Sequence, residues 1–177
     1  AEQVVANALF ADGAAALVVG RMGHRPRRRS RAGQARRSWQ VVATGSCLFP
    51  DCEDAMTWRI GNHGFEMTLS ARVPSLVAAH LRPWLERWLA DRVLRLGQVR
   101  SWAIHPGGPR LLNTVASSLD LPAESIAVSR KVLADFGNMS SSTILFILER
   151  LRRAKAPRPC VALGFGPGLV VEAALLS

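Results

Sequence analysis

The phrase His105-Pro106-Gly107-Gly108-Pro109 closes the apolar run 99–104 and constrains the fold more than any other stretch of the chain. Two glycines between two prolines continue neither a strand nor a helix, because proline lacks a backbone donor and glycine loses the most freedom on ordering. The run therefore reads as a strand that stops at His105, which places this side chain at the mouth of a sheet. Further on, Asp135-Phe136-Gly137-Asn138-Met139-Ser140-Ser141 leads into an apolar-periodic segment that predicts a helix over 140–153. Asn138 is thus expected at or near a helix N-terminus, where side-chain amides and unpaired N–H groups point outward. A neutral His at a strand end and an Asn at a helix start can converge as donors on one anionic oxygen. On spacing alone, a turn cap at His105 and a helix cap at Asn138 is the plainer alternative.

Strands and helices alternate around this centre. Residues 1–10 read as the last turns of a helix, broken by Ala11-Asp12-Gly13, and 14–19 form an apolar run that predicts a strand buried on both faces. Residues 39–49 predict a further strand and 50–62 a loop carrying Trp58 and Arg59. Residues 63–70, with Phe65, Met67 and Leu69 alternating, predict a half-buried strand in which His63 is a loop residue. A long helix is expected over 73–96, kinked or split at Pro83, with Trp84 and Trp88 on its packed face. Shorter helices are expected over 110–119 and 129–136, and Pro157 and Pro159 stop the helix 140–153. The runs 161–165 and 169–176 read as an antiparallel hairpin turning at Gly166-Pro167-Gly168. This order gives an α/β fold, a sheet with packed helices, in one domain over residues 1–177.

With 49% apolar and 20% charged residues in 177, the chain has the material for one real core and is not disordered. No run approaches the ~18 apolar residues of a membrane span. Glu2 and the lack of a basic start argue against a secretory signal, so a cytoplasmic protein with free thiols is expected. The first residue is not Met, which suggests a mature product, an engineered piece or a fragment. Cys47, Cys52 and Cys160 lack metal-ligand spacing, and neither metal nor cofactor is expected. The net charge of +10 is concentrated in eight arginines between Arg21 and Arg37, without which the remainder is +2. Pro26, Ser30 and Gly33 interrupt that stretch, so 21–37 reads as an arginine-rich loop insert. It has no aromatics to stack bases, which argues against nucleic acid; a salt-sensitive nucleic-acid or membrane binder stands as a rival reading.

Three phrases carry a resemblance. His105-Pro106-Gly107-Gly108-Pro109, Gly137-Asn138-Met139-Ser140-Ser141 and Gly164-Phe165-Gly166-Pro167-Gly168 are similar, in order and separation, to the C-terminal signatures of the type III polyketide synthases, the chalcone and stilbene synthase family. The opening Ala8-Leu9-Phe10, with Asp12-Gly13-Ala14-Ala15, also resembles a phrase of that family. The resemblance implies the C-terminal half of a thiolase-like fold, a mixed sheet with packed helices. It implies an acyltransferase that loads an acyl group from coenzyme A onto a cysteine, decarboxylates malonyl-CoA and condenses the two.

Within that resemblance His105 and Asn138 are the catalytic pair, and Gly164, Phe165, Gly166, Pro167 and Gly168 shape the cavity wall. Ser140 lines the cavity beside Asn138, while Gly107 and Gly108 let a coenzyme A arm pass. Met67 stands where the family commonly carries Phe, near the substrate channel, and would be a more adaptable gate; ordinary core is the equal alternative. The implied partners are acyl-CoA, malonyl-CoA, a second copy in a homodimer, and an N-terminal half carrying the nucleophilic cysteine. No cysteine here matches that nucleophile, so the chain alone is expected to be inactive and to expose apolar surface. Two rivals remain: a non-enzymatic remnant or subunit, and a 3-oxoacyl synthase of the fatty-acid type. The latter typically has His-Gln-Ala-Asn where this chain has His105-Pro106-Gly107-Gly108, which favours the polyketide branch.

Overall fold

Apolar side chains on both faces of the C-terminal strands force a sheet covered on both sides. In the computed structural model, which describes residues 8–21, 38–62 and 64–177, that sheet has four strands. They are β1 (Val41–Leu48), β4 (Ser101–Ile104), β5 (Cys160–Gly166) and β6 (Val170–Leu176), in the order β1-β6-β5-β4. β1 and β6 are antiparallel, as are β5 and β6, whereas β4 and β5 run parallel, so the sheet is mixed. A separate hairpin pairs β2 (Met56–Gly61) with β3 (Gly64–Leu69).

Strand alternation sorts the core into two layers. Trp102, Ile104, Val161, Leu163 and Val171 face α1 (Val73–Ala90) and α2 (Pro109–Ser118), meeting Val77, Leu81, Leu85, Leu112 and Val115. Ala103, Cys160, Ala162 and Leu176 face α3 (Ala127–Phe136) and α4 (Ser141–Arg153), meeting Val132, Ile147 and Leu151. Helices on both faces of one sheet give the α/β architecture expected from the element order.

Several boundaries differ from expectation, each for a physical reason. Residues 14–19 form no strand: they lack regular structure and are exposed throughout. A run apolar on both faces needs layers above and below it, and this one pairs with neither edge of the four-stranded sheet. The expected loop 50–62 contains β2. Its Met56, Trp58 and Ile60 alternate with Thr57 and Arg59, and β3 supplies the ladder, Trp58 standing opposite Met67.

Pro83 does not break α1. The missing donor is outweighed by the buried row Leu81, Leu85, Trp88 and Leu89, and the helix stops at Ala90, short of residue 96. A 3₁₀ turn, Ala123–Ile126, leads directly into α3, which begins two residues before the expected 129. Of the expected first helix, only Ala8 and Leu9 are helical among the described residues; residues 1–7, His63 and 22–37 of the arginine-rich insert lie outside them. Among the described residues no helix is long and apolar enough to cross a membrane.

Candidate active site

His105 follows the last residue of β4, and its backbone N–H donates to the Leu163 carbonyl at 2.8 Å, extending the parallel ladder by one bond. Parallel pairing brings the C-terminal ends of β4 and β5 to one end of the sheet, where open α/β sheets form their crevices. The turn at 105–109 and the segment 164–168 are therefore neighbours as a direct result of that pairing. Burial lowers the His105 pKa to about 4. Near neutral pH the imidazole is uncharged, with one N–H donor and one acceptor nitrogen.

Asn138 sits in the connection between α3 and α4, two residues before the helix cap Ser140 rather than on the helix itself. It is 3% exposed. The Ser140 N–H donates to Asn138 Oδ1 at 2.9 Å, and since a backbone N–H can only donate, the atom facing it is the amide oxygen. The NH2 end of the side chain is thereby left as its donating end. Ser140 reaches this position with φ 58, the left-handed region, and the Met139 N–H is held by Thr143 Oγ1 at 2.8 Å. Asp135 accepts from Arg150 at 2.7 Å, and Phe136 packs edge-on against Phe146, so α3 and α4 are joined across the Asn138 connection.

The two loops meet on a stretch that the sequence reading gave no role. Leu9 accepts a 2.8 Å hydrogen bond from the Asn138 N–H, and a methyl group at Gly108 would lie 3.4 Å from Leu9 Cδ1. Leu9 thus touches both the His105 turn and the Asn138 connection. The family-like phrase at 8–15 was the available signal. Ser129 was missed as well: fully buried in α3, its Oγ accepts the Ile104 N–H at 3.1 Å and docks that helix on β4, one residue before His105.

Gly164, Phe165 and Gly166 end β5, and Pro167 and Gly168 form the following turn with Leu169. Gly168 has φ +79, where a Cβ is strained, and a methyl there would meet Leu48 at 3.2 Å. The buried Leu169 accepts from the Phe49 N–H at 3.2 Å, pinning the turn to the end of β1. Met67 is half-buried against the core, on a hairpin whose β2 strand packs against this turn. Gly107 donates its N–H to the His105 carbonyl at 3.1 Å, while the Gly108 carbonyl accepts the first bond of α2. Ser140 is exposed. A groove of about 490 Å³ lined by Asn113, Ser117, Asp120 and Arg130 includes none of these residues.

None of the three cysteines approaches His105. Cys160 pairs with Ser101 at the far end of the parallel ladder, roughly 13 Å of strand away. Cys47 lies on β1, across the sheet from β4, on the order of 14 Å distant at ordinary strand spacing. Cys52 is buried beyond β1, with its Sγ donating to the Pro50 carbonyl. Burial pushes all three thiols upward, opposite to the lowered pKa of a reactive thiolate.

Residues 40–177 match the chalcone and stilbene synthases, C-terminal domain family. The 1,3,6,8-tetrahydroxynaphthalene synthase of Streptomyces peucetius subsp. caesius is 38% identical over 98% of this chain and 45% of its own length. The alpha-pyrone synthesis polyketide synthase-like Pks18 of Mycobacterium tuberculosis is 35% identical over 97% of this chain and 43% of its own. The crystal structure of PKS-I from the brown alga Ectocarpus siliculosus superposes with a TM-score of 0.83 at 26% identity, covering 99% of this chain and 47% of that one. The chain therefore spans about half the length of the relatives it matches.

Proposed function

Because the chain belongs to the C-terminal domain family of the chalcone and stilbene synthases, the type III polyketide synthases, we propose that it is the donor-bearing half of such an enzyme. The proposed reaction is an acyl transfer that condenses an acyl-CoA starter with malonyl-CoA by decarboxylative Claisen chemistry. The nucleophilic cysteine comes from an N-terminal half outside these residues, and the complete enzyme is a homodimer acting on cytoplasmic coenzyme A thioesters. Residues 1–177 form one unit in this reading, supported by the backbone bonds that tie residues 9–11 to Asn138.

In the proposed cycle the cysteine thiolate attacks the starter thioester, coenzyme A leaves as its thiolate, and the acyl group rests on the enzyme. The bond between the malonyl carboxylate and C2 then breaks; CO₂ departs and the electron pair passes into an enolate on the thioester. That oxygen gains negative charge, and His105 and Asn138 donate to it. The enolate carbon attacks the acyl-enzyme carbonyl, a C–C bond forms, and the thiolate leaves. Gly164, Phe165, Gly166, Pro167 and Gly168 wall the cavity for the growing chain. Gly107 and Gly108 flank the coenzyme A arm, and Ser140 and Met67 line the interior and the entrance.

The observation that carries this reading is the preparation of both groups as donors. His105 stays neutral near physiological pH, and Asn138 has its oxygen already engaged by Ser140. Malonyl-CoA decarboxylation by the protein with its upstream half is the test. His105→Ala is expected to lower the rate by about 10²–10³-fold, and an undiminished rate overturns the assignment.

A further inference from the structure

The backbone of Asn138 is held by residues outside its own loop. Its N–H donates to the Leu9 carbonyl at 2.8 Å and its carbonyl accepts from the Ala11 N–H at 2.9 Å, a parallel bridge with Phe10 between them. Both backbone polar groups of Asn138 are thus engaged by one short segment. The fit beside it is close. A methyl group on Gly137, at φ +72, would lie 2.9 Å from Ala11 Cβ and 3.3 Å from the Leu9 carbonyl oxygen. A methyl on Gly13 would fall 2.3 Å from Met139 Sδ, and the Gly13 carbonyl accepts from Ser142 Oγ at 3.0 Å. From Leu9 to Gly13 the segment therefore touches the residues on both sides of Asn138 and the first turn of α4.

We propose that residues 9–13 are a positioning strap for Asn138, fixing through backbone bonds where its amide donates. The proposal rests on the reading of Asn138 as a donor to the enolate oxygen. A donor helps only when held where charge develops, and a displacement of about 1 Å can cost on the order of 10²-fold in rate. The Asn138 connection lies outside the sheet ladders, and its own bonds engage Asn138 Oδ1 and the Met139 N–H, leaving the backbone N–H and carbonyl of Asn138 to the strap. The strap continues into residues 14–20, which are exposed and irregular here.

The test uses the protein with its upstream half and compares Ala11→Pro, which deletes the N–H donor to Asn138, with Ala11→Gly, which keeps it. Ala11→Pro is expected to lower kcat for malonyl-CoA decarboxylation by about 10²-fold with KM little changed. Ala11→Gly stays near the parent, and starter loading onto the nucleophile, read by intact mass, proceeds at the parent rate in both. Gly13→Ala, which pushes the strap off Met139 without touching the bridge, serves if the proline variant does not fold. Each strap variant combined with Asn138→Ala is expected to be no slower than Asn138→Ala alone, because the strap acts through that residue. Additive losses, or loading that falls in step with decarboxylation, overturn the strap. If Asn138→Ala lowers decarboxylation while both strap variants match the parent, the strap alone fails. If Asn138→Ala matches the parent, the donor reading fails and the strap with it.

Discussion

The runs 14–19 and 160–163 are both uninterrupted stretches of apolar side chains, yet they end in opposite states. The second forms the start of β5, flanked by β4 and β6, with Val161 and Leu163 buried against α1 and α2 and Cys160 and Ala162 against α3 and α4. The first has no ladder partner among the described residues, and its Val18 is fully exposed. Side-chain composition does not separate them. What separates them is the supply of neighbours: a strand apolar on both faces needs two edges and two covering layers. β5 receives all of these from this chain, whereas 14–19 lies outside the only four-stranded sheet among the described residues. Exposed Val41, Val42 and Leu48 on the edge strand β1, with Trp58 and Ile60 on the hairpin, add to the uncovered apolar surface.

Three measurements sharpen or break that contrast. The largest effect is expected in hydrogen exchange. In the 177-residue chain, amides of 14–19 should exchange about 10³-fold or more faster than those of β5. Joined to the proposed N-terminal half, the chain should then show 14–19 under protection. Protection of 14–19 in the chain alone would show that it has already found a partner. Next comes mutation of the covered face. Ile104→Ala is expected to cost about 2–5 kcal/mol by denaturant unfolding, as a buried methyl-rich side chain leaves a cavity. Val18→Ala in the same chain should stay within about 0.5 kcal/mol. Equal costs would mean that 14–19 is packed.

The smallest expected effect is pH-dependent. His105 has its pKa lowered from 6.5 to about 4 by burial, so the unfolded chain takes up the proton first. The contribution of this group to stability is complete above pH 6.5, declines as the pH falls toward 4, and is level below that. Melting temperature should therefore fall more steeply across that window in the parent than in His105→Gln. Identical slopes would show a solvated imidazole.

The turns that carry the candidate residues were legible in the chain because their signals are local. Pro106-Gly107-Gly108-Pro109 ends a strand wherever it occurs, and Gly137 and Gly168 stand at the positive-φ positions that turns require. The hairpin 160–176 and the helices α1 to α4 followed from period and punctuation, with ends displaced by a few residues. The strand β2 was lost because its alternation was set between Pro50 and Gly61 in a stretch rich in turn formers, and its partner made it a strand.

Sequence by itself determined the α/β class, the family, and the local turns on which the candidate residues His105 and Asn138 stand, since each depends on residue type and spacing within one segment. Tertiary structure decided what depends on distant partners. It set the neutral state of His105, which comes from burial, and the direction of the Asn138 amide, which comes from Ser140. It exposed 14–19 and brought Leu9 and Ala11 onto Asn138, more than a hundred residues away. Backbone pairing across that separation is written in no local pattern, because any residue other than proline carries the same donor and acceptor.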